Sequence, residues 1–199
     1  MNHTENSWMG YKRKDGRKGI RNRVLVIYTV KCAEHVARKI VDEVHHPEVE
    51  LLGFDGCTDN QYAVNMLISL IRHPNVGAVL TVGLGCEYVQ PEWLEKIALQ
   101  EEKISSWIRI QDEGGTVPSI KKGVAWVREA LKELENTPRV QMALQDLVIG
   151  AECGGRCTGR KDHGIWCEFT GGSVQLSERR KKAGTGDVQR CQRMWETVG

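Results

Sequence analysis

The chain has 199 residues, which fits one domain, and its 40% hydrophobic and 27% charged residues are ordinary for a globular protein. The formal net charge of +2 gives no electrostatic footprint of a nucleic-acid-binding protein. The sequence contains no apolar run of the ~18 residues that a membrane span needs. The N-terminus lacks the apolar core of a signal peptide, which predicts a cytoplasmic protein.

The first regular elements are a strand, a tight turn and a helix. Residues 24–30 form a nearly continuous apolar and β-branched run, which is typical of a strand buried on both faces. Apolar residues then recur at i, i+3 and i+4 over 33–44, the pattern of an amphipathic helix. Cys32 occupies the turn between the two elements.

The same unit recurs along the chain. The further strand and helix pairs are predicted over 49–54 with 61–72, 76–82 with 93–100, and 107–110 with 117–134. A fifth strand is predicted over 147–150. This alternation predicts an α/β fold of the Rossmann-like kind, an open parallel sheet with right-handed crossovers.

Four of the seven cysteines directly follow predicted strands. They are Cys32, Cys57, Cys86 and Cys153. Ligands of parallel sheets bind beyond the carboxyl ends of the strands, where helix N-termini offer free N–H groups and positive charge. We therefore predict that these cysteines line one edge of the sheet and form a functional cluster. The alternative for any single cysteine is a buried, small hydrophobic residue.

Several motifs, taken together, resemble the catalytic region of the altronate/galactarate dehydratase family. The opening GYKRKDGRKGIRN at 10–22 is similar to the GYxRxDGRxGxRN pattern of that family. HPNV at 73–76 and GLGCE at 83–87 match two further motifs of the family. EGGT at 113–116 and ECGG at 152–155 are similar to its GGT segment and to the start of its ECGGSD motif. The order and spacing of all these motifs carry the resemblance.

The resemblance implies a lyase that catalyses β-elimination from a 2-hydroxy acid. Family members remove water from altronate or galactarate, or sulfite from sulfolactate. The stretch GFDGCTDNQYA at 53–63 is more similar to the sulfolactate sulfo-lyase large subunit, because the histidine that dehydratases usually carry before this Gly-Cys pair is absent. The resemblance also implies iron as cofactor and, since the chain begins at the first family motif, a small partner subunit.

Metal and acid–base roles follow from the same resemblance. Cys86 and Cys153 are the first candidates for metal ligands, followed by Cys32 and Cys57. Glu87 and Glu152 flank the first two cysteines and are candidates for a catalytic base or a ligand. The alternative for both carboxylates is capping of a helix N-terminus.

Four polar residues are candidates for contacts with substrate. Arg21 could clamp a carboxylate bidentately, beside Asn22 as a second catalytic candidate. Both residues precede the first strand of the parallel sheet. They therefore lie at its amino edge, opposite the predicted cysteine cluster, unless the loop folds back. A surface or interface pairing is the alternative for Arg21. Asn60 and Gln90 could orient substrate hydroxyls or could simply form turns.

The resemblance stops after Gly155. We interpret 1–155 as a catalytic-type α/β domain that is partial relative to the family, and 156–199 as an irregular tail. A truncated product with a shifted reading frame is our hypothesis for this tail. Three alternatives compete with an active lyase: an inactive remnant or binding subunit, a zinc site at Cys153, Cys157, His163 and Cys167, and a dinucleotide loop at 83–85.

Overall fold

The computed structural model describes residues 8–147 and, for the backbone alone, 150–151, 167–170 and 173–176. The chain divides into two units, of which the larger is Ser7–Met142. The larger unit contains every predicted α/β element up to residue 135 and is described first.

A four-stranded parallel sheet forms the centre of this unit. Its strands are β3 (Arg23–Tyr28), β4 (Val49–Gly53), β5 (Val76–Gly83) and β6 (Ile104–Arg109), in the order β4-β3-β5-β6. Every neighbouring pair is parallel. All eight residues of β5 are buried, as the long apolar run in its sequence requires.

Four helices connect and cover these strands. They are α1 (Lys31–Val44), α2 (Gln61–Ile71), α3 (Pro91–Gln100) and α4 (Thr116–Glu135). Residues of α1 and α4 share one hydrophobic cluster with the sheet, and residues of α2 and α3 share the other. The sheet is therefore covered on both faces, and the predicted α/β fold with an open parallel sheet is confirmed.

The strand order places a switch point between β3 and β5. The chain leaves β3 toward β4 on one side and leaves β5 toward β6 on the other. Crevices at such reversals, beyond the carboxyl ends of the strands, are where open α/β sheets bind their ligands. The turns after β3 and β5 therefore border the most favourable position for a site.

A small antiparallel sheet, absent from the sequence-based predictions, is formed by strands before and after the parallel sheet. It consists of β1 (Trp8–Lys12), β2 (Lys18–Gly19) and β7 (Val140–Met142), in the order β2-β1-β7. The first family motif, at 10–22, contributes β1 and β2 and the turn between them. A Cβ at Gly19 would collide with the backbone of Pro74, so this motif packs against the loop that precedes β5.

Basic side chains attach the first motif to the amino edge of the sheet. Arg13 and Arg17 of the motif donate to carbonyl oxygens of the segment 71–74 at 2.6 and 2.8 Å. Lys103, which precedes β6, donates to the same segment at 2.9 Å. The C-terminus of a helix leaves such carbonyls unpaired and carries partial negative charge, and cations stabilise both. The basic residues of this motif therefore have a structural role far from the carboxyl edge.

The second unit contains a further antiparallel sheet. A short helical turn at Leu144–Asp146 is followed by strands β8 (Gly150–Ala151), β9 (Cys167–Thr170) and β10 (Ser173–Leu176), in the order β10-β9-β8. Of the fifth strand predicted over 147–150, residues 148 and 149 lie outside the described residues. Gly150 pairs antiparallel with Glu168, so a parallel pairing is wrong at this position. An apolar run of four residues does not specify its partner strand, and here the partner is a distant hairpin.

The helices of the described part of the chain are short or amphipathic. None of them has the length and apolar character needed to cross a bilayer.

Candidate functional site

Three of the predicted cysteines lie at the carboxyl edge of the parallel sheet. Cys32 is the second residue of α1, Cys57 lies in the turn between β4 and α2, and Cys86 lies in the turn between β5 and α3. All three are exposed free thiols. The fourth predicted cysteine, Cys153, and the adjacent Glu152 lie outside the described residues. We call the edge formed by the turns after β3, β4, β5 and β6 the rim.

Hydrogen bonds hold neighbouring turns of the rim together. The Tyr88 amide donates to the carbonyl oxygen of Cys57 at 3.1 Å, which joins the turn after β5 to the turn after β4. The Tyr28 hydroxyl donates to Asp55 Oδ1, also at 3.1 Å. Burial and then this hydrogen bond raise the pKa of Tyr28 above its ordinary value. The backbones that carry Cys57 and Cys86 are thus in contact.

Glu87 is buried at the switch point, with 3% of its surface exposed. Its carboxylate accepts from Thr29 Oγ1 at 2.7 Å and from the amides of Leu84 and Gly85 at 3.0 and 2.7 Å. A Cβ at Gly83 would collide with this carboxylate, so glycine there permits the close approach. The carboxylate ties the end of β3 to the turn that carries Cys86, and its donors all lie outside the helices, so it caps no helix N-terminus.

Gln90 is bonded within the protein on both ends of its amide. Its Nε2 donates to the carbonyl oxygen of Glu87, and its Oε1 accepts from Arg109 Nη2 at 3.2 Å. Arg109, the last residue of β6, also pairs with Glu92 and, at 2.9 Å, with Asp112. This network connects the turn after β5 to the turn after β6.

Helix N-termini at the rim differ in how they are capped. The side chain of Asn60 caps α2 by accepting from the Ala63 amide at 3.1 Å. The N-cap residues of α1, α3 and α4 are Val30, Gln90 and Gly115, and none of them makes a side-chain capping bond. Three helices thus lack a side-chain cap at one edge, although Pro91 and Pro118 each remove one N–H group from the first turns of α3 and α4. The N–H groups that remain at these helix starts suit an anionic ligand.

Arg21 and Asn22 lie at the amino edge of the sheet, away from the rim. Asn22 is 9% exposed, accepts from Arg13 Nη2 at 2.9 Å and donates to the Leu134 carbonyl oxygen at 3.3 Å. Arg21 Nη1 is 3.6 Å from Glu48 Oε1, an exposed surface pair. The loop before β3 therefore does not fold back, and the structure does not bring these two residues to the cysteines.

The described residues do not assemble a metal site by themselves. Within them, no three His, Cys, Asp or Glu side chains lie close enough to share a metal ion. The three exposed thiols of the rim therefore do not by themselves fit an iron site. Any further ligand from this chain would have to come from residues that the structure does not describe.

Sequence reasoning missed two residues of the rim, Thr29 and Arg109. Thr29 belongs to the buried strand predicted over 24–30, although it is the polar residue at which this apolar run is interrupted near its end. Arg109 lies inside the short strand predicted over 107–110, and its position at the carboxyl end of β6 shows only in the fold. A polar side chain at the last positions of a buried strand was the available signal in both cases.

Comparison with known families gives an independent assignment. The family described as D-galactarate dehydratase/altronate hydrolase, second domain, matches residues 10–135. The chain belongs to this family. The matched segment contains the last three residues of β1, all of β2, the whole parallel sheet and helices α1 to α4.

Individual members of the family give the same assignment. The altronate dehydratases of Bacillus subtilis (strain 168) and Escherichia coli (strain K12) are 28% and 29% identical over 162 and 160 residues, which is 75% and 73% of this chain. The (2R)-sulfolactate sulfo-lyase subunit beta of Chromohalobacter salexigens is 26% identical over 158 residues, or 74% of this chain.

The chain spans about a third of the length of these relatives. The matches cover 32% of each altronate dehydratase and 38% of the sulfo-lyase subunit. No solved structure matches the chain significantly.

Proposed function

We propose that this chain provides the rim of a lyase that catalyses β-elimination from a 2-hydroxy acid. One observation carries the proposal: in a member of a dehydratase family, three uncapped helix N-termini open onto the same edge as three exposed cysteines. A 2-hydroxy acid is an anion, and amide N–H groups at helix N-termini bind carboxylates without a charged side chain.

The elimination reaction needs hydrogen-bond donors close to the substrate carboxylate, where negative charge develops. A base removes the proton next to the carboxylate, electrons move into the carboxylate as an enediolate, and the bond to the leaving hydroxyl or sulfonate group breaks. Fixed donors aimed at the enediolate oxygens stabilise this charge, and in many enzymes such donors lower the barrier more than any other single effect. The N–H groups at the starts of α1, α3 and α4 are suited to this task.

Glu87 has a positioning role in this proposal. Because its carboxylate holds the Leu84 and Gly85 amides, it fixes the turn that carries Cys86. Gly85 has a φ of 134°, a left-handed backbone conformation that favours glycine, and a Cβ there would meet the Gln111 side chain. The shape of this turn, which leads into α3, therefore depends on both residues.

Iron remains a prediction from family resemblance. It would act as a Lewis acid on the leaving group or on the carboxylate. Since the described side chains do not form a three-ligand group, no step here is assigned to a metal. Glu152 and Cys153 remain candidate base and ligand on the same grounds of resemblance.

The names of the relatives indicate which substrates to test. Two relatives are altronate dehydratases and the third is a sulfo-lyase subunit that acts on (2R)-sulfolactate. We propose altronate, galactarate and sulfolactate as the substrate set. We also propose that a separate partner subunit joins this chain, because one relative is named as a subunit.

Turnover of these three acids tests the proposal. The full chain is incubated with each acid, with and without ferrous iron, and the release of a 2-keto-3-deoxy acid or of sulfite is measured. We expect elimination from at least one acid, and a loss of activity in Gly85→Val, which cannot keep the turn. Binding of the acids is measured in parallel by calorimetry.

The control is Gly16→Ala, a second glycine with positive φ that lies in the turn between β1 and β2, far from the rim. Its activity should stay close to that of the unchanged chain. The proposal would be contradicted if the folded chain neither binds nor converts any of the three acids.

A further inference from the structure

An ion pair lies at the start of α3, one of the helices that open onto the rim. Arg109, the last residue of β6, donates from Nη2 to Glu92 Oε1. Glu92 lies in the first turn of α3, directly after Pro91. The two side chains are mostly buried, with 27% and 22% of their surfaces exposed. Solvent and salt therefore screen this pair less than they screen ion pairs on the open surface.

The side chain of Arg109 is held from several directions. Its Cδ lies beside the Gly85 turn, where a Cβ on Gly85 would approach it to 3.2 Å. Its Nη1 donates to Asp112 Oδ2 at 2.9 Å, and its Nη2 also donates to Gln90 Oε1 at 3.2 Å. The guanidinium lies 5.6 Å from the centre of the Trp107 ring. The positive charge is thus fixed next to Gln90, the N-cap residue of α3.

Glu92 makes no side-chain bond with its own helix. A carboxylate in the first turn of a helix is normally stabilised by the free N–H groups there and by the positive end of the helix dipole. Among the residues that the structure describes, the partner of the Glu92 carboxylate is Arg109. Glu92 Oε2 and Arg109 Nε are buried, and neither has a hydrogen-bond partner within these residues. The pair therefore leaves two polar atoms unsatisfied, although N–H groups of α3 lie close to the carboxylate.

The other rim helices that lack a side-chain cap show the same treatment of negative charge. The first turn of α1 contains Glu34, whose carboxylate pairs with Lys31 and with Arg38, each at 2.5 Å. The first turn of α4 contains no acidic residue. Each carboxylate in the first turn of α1, α3 or α4 is thus paired with a cation, and none of these helix starts carries an unpaired negative charge.

We propose that Arg109 is a positioning residue that keeps the start of α3 open to an anionic substrate by holding the Glu92 carboxylate away from it. A released carboxylate would accept from the N–H groups of its own helix and would repel the carboxylate of a 2-hydroxy acid. The guanidinium prevents both effects, because it orients the carboxylate and neutralises its charge. This role rests on the proposed lyase function, in which the start of α3 binds the substrate.

Calorimetric titration of the full chain with altronate, galactarate and sulfolactate tests this role. For any acid that the unchanged chain binds, Arg109→Met should weaken binding about tenfold or more, because the released carboxylate competes with the acid. The double variant with Arg109→Met and Glu92→Gln should bind within about threefold of the unchanged chain. A merely structural role of Arg109 would not be rescued in this way, since Glu92→Gln restores no contact that Arg109 made.

Glu92→Gln alone keeps the test decisive if Arg109→Met does not fold. Glutamine has nearly the same size as glutamate, and Arg109 then faces one negative charge fewer. This variant should therefore bind the acid more tightly than the unchanged chain.

Arg72→Met is the matched control. Arg72 Nε lies 3.0 Å from Oε1 of Glu101, the C-cap residue of α3, so the same substitution breaks an ion pair at the other end of the same helix. Its affinity for the acid should equal that of the unchanged chain.

The outcomes separate this role from the proposed function. If the unchanged chain binds an acid and Arg109→Met binds it equally well, the role of Arg109 is overturned and the proposed function stands. The same holds if the double variant does not recover binding, or if Glu92→Gln binds no more tightly than the unchanged chain. If the unchanged chain binds none of the three acids, the proposed function fails and this role fails with it.

Discussion

At the residue scale, the arrangement of the rim depends on one buried carboxylate. Glu87 has three donors around it and connects the ends of two neighbouring strands. A buried charge with several hydrogen bonds is held in one place, whereas removal of its charge leaves amides with weaker acceptors. Glu87 therefore fixes the turn that leads into α3, the helix whose start we assign to substrate.

Glu87→Gln should lower the free energy of unfolding by about 1–3 kcal/mol. Glutamine has the same shape but one oxygen fewer, so either the Gly85 amide loses its acceptor or the Thr29 hydroxyl and the Leu84 amide both do. Urea denaturation followed by circular dichroism measures the change. Glu129→Gln, on the exposed side of α4, is the control and should change stability by less than about 0.5 kcal/mol. Equal effects of the two substitutions would show that the Glu87 bonds are unimportant.

A buried lysine at the amino edge makes stability depend on pH. Burial, and then the charge of Arg13, lowers the pKa of Lys103 to about 7 from its ordinary value of 10.5. Between these two values the unfolded chain binds more protons at this site than the folded chain. The free energy of unfolding therefore rises as the pH increases from 7 toward 10.5.

Lys103→Met should remove this rise. We expect the unchanged chain to gain stability between about pH 7 and about pH 9 relative to the variant, although the variant is less stable overall because the segment 71–74 loses a donor. Urea unfolding at the two pH values gives the comparison. Parallel pH dependences in the two proteins would mean that Lys103 keeps its ordinary pKa in the folded state.

At the element scale, most of the parallel sheet and its helices could be predicted. Long apolar runs and 3.6-residue periodicity placed every strand and helix of the parallel sheet within a few residues of its observed bounds. The strands of the small sheet could not be predicted in this way. β2 and β7 have two and three residues, too few for a period, and β1 pairs with β7 more than 125 residues away in sequence.

The positions of several site residues can be predicted from the order of strands and helices, but the hydrogen bonds that these residues make cannot. The turns after parallel strands necessarily share an edge, so the location of three cysteines could be predicted. Whether a polar residue such as Asn60 or Gln90 is free to bind substrate depends on local hydrogen bonds, which the sequence does not specify. In the structure both of these side chains bond within the protein.

Asn60→Ala should lower the free energy of unfolding by about 1 kcal/mol, because α2 loses its N-terminal cap. Asn60→Asp should retain most of the stability, since aspartate caps a helix equally well. Thermal unfolding compares the two. Asn65→Ala, in the exposed middle of α2, controls for a simple change of helix propensity. A stable Asn60→Ala protein with impaired substrate binding would instead support the predicted substrate-orienting role.

At the scale of the whole molecule, the two edges of the sheet have different roles. The amino edge gathers Arg13 and Arg17 of the first family motif, together with Lys103, around the end of α2, where they stabilise the fold. The carboxyl edge gathers exposed cysteines and uncapped helix N-termini. The first family motif thus lies at the opposite edge of the sheet from the rim, to which we assign the chemistry. This separation becomes visible only when the strand topology is known.

The most direct test of this division is amide-shift mapping of the full chain by two-dimensional NMR during titration with altronate, galactarate and sulfolactate. The account predicts that the largest shifts for a bound acid occur in the residues that open α1, α3 and α4 and in the turn of Gly85 and Glu87 before α3. Shifts centred on Arg21 and Asn22 at the amino edge, or no shifts with any of the three acids, would contradict it.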